Sequence, residues 1–202
     1  MRRLLAALGV ALIPSAGLAA EALPALFQIT GVRPGGTLNI RAEPSTGAAV
    51  IGEFAASDRN IEIVARDPSG RWGRVNRGEA GGWISLDYAT SEGEIWREDA
   101  LPETLRCLGT EPFWSFAHTG DTLVGTTPDA PDRPLIIESV AGPAASGRRT
   151  VLARDAAGTL TLEITPQACN DGMSDRDFGL GARISEAGAP DLIGCCTVAP
   201  RP

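Results

Sequence analysis

After its first twenty residues this chain shows no helical hydrophobic period; short apolar runs recur instead, divided by clusters of turn-forming residues. Between Leu26 and Ala89 the runs are Phe27–Ile29, Leu38–Ile40, Val50–Phe54, Ile61–Val64, Trp72–Val75 and Gly82–Ile84. The turn signals between them are Pro34-Gly35-Gly36, Pro44–Gly47, Asp67–Gly70 and Gly78–Gly81. That pattern predicts a small all-β barrel or sandwich over residues 26–90. The segment 91–104 is polar and acidic, with Ile95, Trp96 and Leu101 as its apolar points, and reads as a linker or short connecting helix. Strand signals resume in 105–199 at Trp114–Phe116, Thr122–Val124, Leu135–Ile137, Thr150–Leu152, Leu160–Ile164 and Ala182–Ile184. Gly158 closes the turn Asp155-Ala156-Ala157-Gly158, so Val151–Ala153 and Leu160–Leu162 are expected to pair as a hairpin. The second unit is therefore also β-rich, a barrel or a sandwich.

Residues 1–20 have the grammar of a secretory signal peptide: Arg2 and Arg3, an apolar stretch from Leu4 to Ile13, and the small-residue run Ala16–Ala20. Cleavage is expected after Ala19 or Ala20, and no later segment is long and apolar enough to span a bilayer. Losing Arg2 and Arg3 leaves 16 basic residues, all arginine, against 25 acidic, a net charge of −9 that disfavours nucleic acid as a partner. An exported chain, periplasmic or secreted, meets an oxidising compartment, so Cys107, Cys169, Cys195 and Cys196 are expected in disulfides. Zinc is disfavoured, because no C-x-x-C pair occurs and His118 is the only histidine. Adjacent Cys195 and Cys196 would point to opposite faces of a strand and need separate partners.

In the first unit, Leu38-Asn39-Ile40-Arg41-Ala42-Glu43-Pro44-Ser45 is followed by Val50-Ile51-Gly52, Arg71-Trp72-Gly73-Arg74-Val75 and Gly82-Trp83-Ile84. In order and spacing this resembles the bacterial SH3 domain family, with Leu38 and Ile40 facing the core and Asn39 and Arg41 facing out. The resemblance implies an SH3-like barrel acting as an accessory binding module for cell-wall peptide or polysaccharide, without catalytic residues. Trp72, Trp83 and Tyr88 are the candidate contact residues, since aromatic faces suit extended peptides and sugars. For both tryptophans the alternative is a place in the core, and for Trp83, after Gly82, it weighs more in a barrel this small. Arg41 either clamps a ligand carboxylate or pairs with Glu43 at the surface.

The second unit carries Gly109-Thr110-Glu111-Pro112-Phe113-Trp114, then Cys169-Asn170-Asp171-Gly172-Met173-Ser174-Asp175, then Gly194-Cys195. It resembles a family of bacterial envelope domains that brings no biochemical function with it, and departs from that family at Asp177-Phe178-Gly179 and in the extra Cys107 and Cys196. The resemblance implies a Cys169–Cys195 pair from the shared blocks and a Cys107–Cys196 pair from the two departures. Each long loop so closed is worth about 3 to 5 kcal/mol in the chain-entropy model. Asp171, Asp175 and Asp177 lack the alternation of a calcium loop and read as a surface turn with Gly172 in a left-handed conformation. No base and nucleophile stand at a recognised catalytic spacing. The candidate site of this unit is Glu111 with Trp114, lining a pocket, against the alternative that Trp114 plugs a barrel end. Together these readings describe a non-catalytic envelope binding protein without metal or cofactor, directed at peptidoglycan or an envelope peptide or protein. The rival readings are a cell-wall hydrolase with a cryptic site and a protein inhibitor of a hydrolase.

Overall fold

A computed structural model describes residues 22–200, and the expected signal peptide lies outside the described residues. The described chain is all-β, with one short 3-10 turn at Leu86–Tyr88 and no α-helix. Eight strands occupy the first half: β1 (Ala25–Ile29), β2 (Thr37–Arg41), β3 (Val50–Ala55), β4 (Ile61–Ile63), β5 (Ala65–Arg66), β6 (Trp72–Arg77), β7 (Ala80–Ser85) and β8 (Ala89–Ser91). They form two antiparallel sheets, β4-β1-β8 and β3-β2-β7-β6-β5, around a core that includes Phe27, Leu38, Ile40, Phe54, Ile63, Val75 and Ile84. Leu38 and Ile40 face inward as their alternation predicts, whereas Trp83 does not: Ile84 is fully buried and Trp83 stands on the outer face.

The second half is a closed, up-and-down antiparallel barrel of eight strands. These are β9 (Arg106–Thr110), β10 (Phe113–Thr119), β11 (Thr122–Thr127), β12 (Ala130–Ala141), β13 (Arg149–Arg154), β14 (Thr159–Cys169), β15 (Phe178–Glu186) and β16 (Leu192–Thr197). Strand β9 closes the ring by pairing with both β10 and β16. Strands β13 and β14 pair as expected, Val151 opposite Leu162 and Ala153 opposite Leu160, and Asp155 accepts the Ala157 and Gly158 N–H groups in the turn. The disulfides are Cys107–Cys196, cross-strand between β9 and β16, and Cys169–Cys195. Leu123, Leu135, Val151, Leu160, Leu162, Ile164 and Leu180 fill the interior.

The segment 92–104 is more than a spacer. Trp96, at 1% exposure, and Leu101 belong to the core of the eight-stranded barrel and cover one of its ends. Beside them Arg149 is buried, stacks on the Trp96 ring at 5.1 Å, and donates to the carbonyls of Arg97, Ala100, Pro143, Ser146 and Arg148. The indole N–H of Trp96 donates to the Pro24 carbonyl at 2.8 Å.

The two halves also touch directly. Strand β1 is buried on both faces: Ala25, Phe27 and Ile29 serve the first core, and Leu26 the second. The loop 170–177 docks on the first half, where Asp177 accepts from Arg74 Nε at 2.6 Å, and Asn76 makes two hydrogen bonds with the Asp177 backbone. Asp171 shapes that loop by accepting from the Met173 and Ser174 N–H groups and the Ser174 hydroxyl, while Gly172 has φ of 75°. The aspartates of this block thus build a turn and a contact, and among the described residues no three potential metal ligands cluster.

Candidate functional site

On the first half, strand alternation turns Thr37, Asn39 and Arg41 of β2 outward, together with Trp72 of β6 and Ser85 of β7. These residues and Tyr88, from the 3-10 turn, line a groove of about 750 Å³. Tyr88 is 44% exposed, so its ring offers a free face. Three arginines, Arg33, Arg41 and Arg71, line the same groove against one acid, Asp87, which pairs with Arg71 at 3.5 Å. The groove is therefore positive on a chain whose overall charge is negative. Arg41 donates to the Ala48 carbonyl at 2.8 Å, which holds its side chain in place.

Three of the four residues singled out in this half, Arg41, Trp72 and Tyr88, thus meet in one place. Trp83 does not join them, nor does it fill the core: the Arg74 guanidinium lies over its ring at 5.3 Å, and Arg74 is held by Asp177 of the second half. Arg71 enters the sequence reading only within the Arg71–Val75 block and Arg33 not at all, since turn arginines carry no pattern; the fold is what brings Arg33 into the groove with Trp72.

In the second half the end opposite Trp96 is open. A cavity of about 680 Å³ enters the barrel there, with Trp114, Phe116, Pro131, Pro134 and Leu192 among its lining residues. Trp114 is 4% exposed and its ring faces Phe116 with centroids 6.0 Å apart. The indole lies over two glycines of neighbouring strands: a Cβ on Gly109 would come within 2.3 Å of its Nε1, and one on Gly194 within 2.8 Å of Cζ2. Gly125 makes the same room for Phe116, at 2.7 Å. The rings can rest against the wall only because those positions lack side chains.

Above the rings three inward positions carry charge. Arg133 continues the inward row of Leu135 on β12, Asp155 follows the end of β13, and Glu186 ends the inward row of β15. The guanidinium donates Nε and Nη2 to Asp155 at 2.6 and 3.2 Å, and Nη1 and Nη2 to Glu186 at 2.9 and 2.6 Å. The Arg133 bonds hold the Asp155 carboxyl at about 2, and Glu186 and Asp155 together raise the Arg133 pKa. One guanidinium thus stands between two carboxylates, which gives the mouth an acidic balance.

Of the pair expected here, Trp114 lines this cavity while Glu111 stays outside it, exposed at the β9–β10 turn beside a cis Pro112. The acids of the mouth are Asp132, Asp155 and Glu186, of which sequence reading named only Asp155, as part of an ordinary turn. His118 serves no nucleophile: its two ring nitrogens contact the carbonyls of Pro102 and Gly120 at 2.9 and 2.8 Å. All four cysteines are in disulfides. No helix among the described residues is long and apolar enough to cross a membrane. Compared with family models, curated proteins and solved structures, the chain matches none.

Proposed function

We propose that this is an exported, non-catalytic binding protein of the bacterial envelope, and that its first half is an SH3-like module for a carboxylate-bearing chain of peptidoglycan or an envelope peptide. The observation that carries the reading is the convergence of Arg41, Trp72 and Tyr88 with Arg33 on one positive groove. An extended peptide or glycan strand presents apolar and polar faces in turn, and an aromatic wall flanked by guanidinium groups matches both. The disulfides favour an oxidising compartment such as the periplasm.

The test is co-sedimentation of the full mature chain with purified peptidoglycan. The protein should pellet, less so at high salt. The double substitution Arg33→Ala with Tyr88→Ala should weaken binding by about tenfold or more, since groove aromatics and arginines dominate such contacts. Pelleting that ignores both salt and the double substitution would rule the groove out as the site.

A further inference from the structure

The barrel mouth is a second site, independent of the groove. We propose that it binds a small amphipathic cation, with an apolar body on Trp114 and Phe116 and a protonated amine against the Arg133–Asp155–Glu186 cluster. Three observations carry this. The cavity, about 680 Å³, has the size of a small-molecule pocket and an aromatic floor that Gly109, Gly125 and Gly194 make possible. Arg133 spends Nε, Nη1 and Nη2 on the two carboxylates, so an anion entering the mouth meets negative charge and a guanidinium already engaged on every nitrogen.

The third observation concerns spare acceptors. Asp155 Oδ1 already takes the Ala157 and Gly158 N–H groups besides Arg133. The Glu186 oxygens accept only from Arg133 among the hydrogen bonds of the mouth, and each has a second lone-pair direction. Asp132, also at the mouth, adds a further negative charge and accepts from the Thr126 hydroxyl at 2.9 Å. Glu186 is therefore the group that receives an ammonium, and charge complementarity selects cations over anions. The buried indole N–H of Trp114 also has no acceptor among the described residues.

The experiment uses the full mature chain and three probes with one naphthyl body: naphthylmethylammonium, naphthylmethanol and naphthoate. Binding is read by calorimetry and by ligand-observed NMR. The ammonium should bind at least about tenfold more tightly than the carboxylate, the scale of one charge-assisted hydrogen bond. Glu186→Gln should remove most of that preference while leaving the alcohol unchanged. Ala130→Trp, at an exposed rim position, should block all three probes without touching the core. Equal or tighter binding of naphthoate, absence of binding by every probe, or binding that survives Ala130→Trp would each overturn the proposal.

Discussion

The eight-stranded barrel holds an inward arginine at each end, and the two are answered by different chemistry. Arg149, at the covered end, is fully buried against Trp96 and bonded only to backbone carbonyls. Arg133, at the open end, keeps 32% of its side chain exposed and is bonded to two carboxylates. Carbonyl dipoles ask for no counter-charge and fix a loop around the guanidinium, so Arg149 seals an end. Paired carboxylates overcompensate the cation and leave a charged opening, because water still reaches them. Removing each arginine should therefore have unlike consequences. Arg149→Leu removes a fully buried guanidinium and leaves several part-buried carbonyls without donors, and should cost about 3 to 5 kcal/mol in urea unfolding. Trp96→Ala, which removes the plug itself, should cost about as much through the cavity it leaves. If either substitution shifted stability by less than about 1 kcal/mol, the covered end would not depend on this packing.

That asymmetry was only partly legible in the chain. Strand alternation and turn chemistry suffice for the all-β class and for the β13–β14 hairpin, where Asp155 and Gly158 specify a local turn. Strands β9 and β16 carry no such signal, since Gly109, Gly194 and vicinal cysteines dilute their strand propensity. Those glycines are there for Trp114, a ring distant in sequence from Gly194, and no local pattern encodes that approach. The segment 92–104 reads as polar because most of its side chains are; Trp96 and Leu101 act through tertiary burial alone. The halves look separable because no cysteine crosses between them, yet Leu26, Glu62 and the loop 170–177 join them. Trp83 shows the converse, where a size argument favours the core but the register of β7 turns the ring outward.

Two carboxylates extend the contrast between a sealed place and an open one. Glu62 is buried where the halves meet and accepts from the Thr197 hydroxyl at 2.5 Å and the Val198 N–H at 2.8 Å. Burial raises its pKa above the ordinary 4.5, with the Thr197 and Val198 bonds and Arg176 pulling the other way. The folded chain thus holds this proton more tightly than the unfolded one. The contribution is fully present below pH 4.5 and is lost as pH rises through the raised folded value. Asp155 has the opposite sign: held at about 2 against an ordinary 3.8, it stabilises above 3.8 and loses that as pH falls toward 2. Urea midpoints across pH should show both slopes. Glu62→Gln should flatten the slope above pH 4.5, and Asp155→Asn the acid slope below 3.8. An unchanged slope in Glu62→Gln would mean that the interface carboxyl does not titrate in this way.

The smallest effect on stability is expected where the charges are most conspicuous. Replacing the whole cluster at once, as Arg133→Met with Asp155→Asn and Glu186→Gln, removes a cation and two anions together and leaves none of the three charges without its partners. The Asp155→Asn change keeps a side-chain oxygen for the Ala157 and Gly158 N–H groups, so the β13–β14 turn retains its acceptor. Exchanging a paired charge cluster for neutral groups of similar volume is often neutral or stabilising, since desolvation offsets much of the Coulomb attraction. The midpoint of urea unfolding at pH 7 should therefore move by less than about 1 kcal/mol, in either direction. Arg133→Met alone should cost more than the triple change, because it leaves Asp155 and Glu186 facing each other without their shared cation, though water at the mouth limits the penalty. A triple variant that unfolded as readily as Arg149→Leu would show that the cluster holds the barrel together, as the covered end does, and the contrast between the two arginines would collapse.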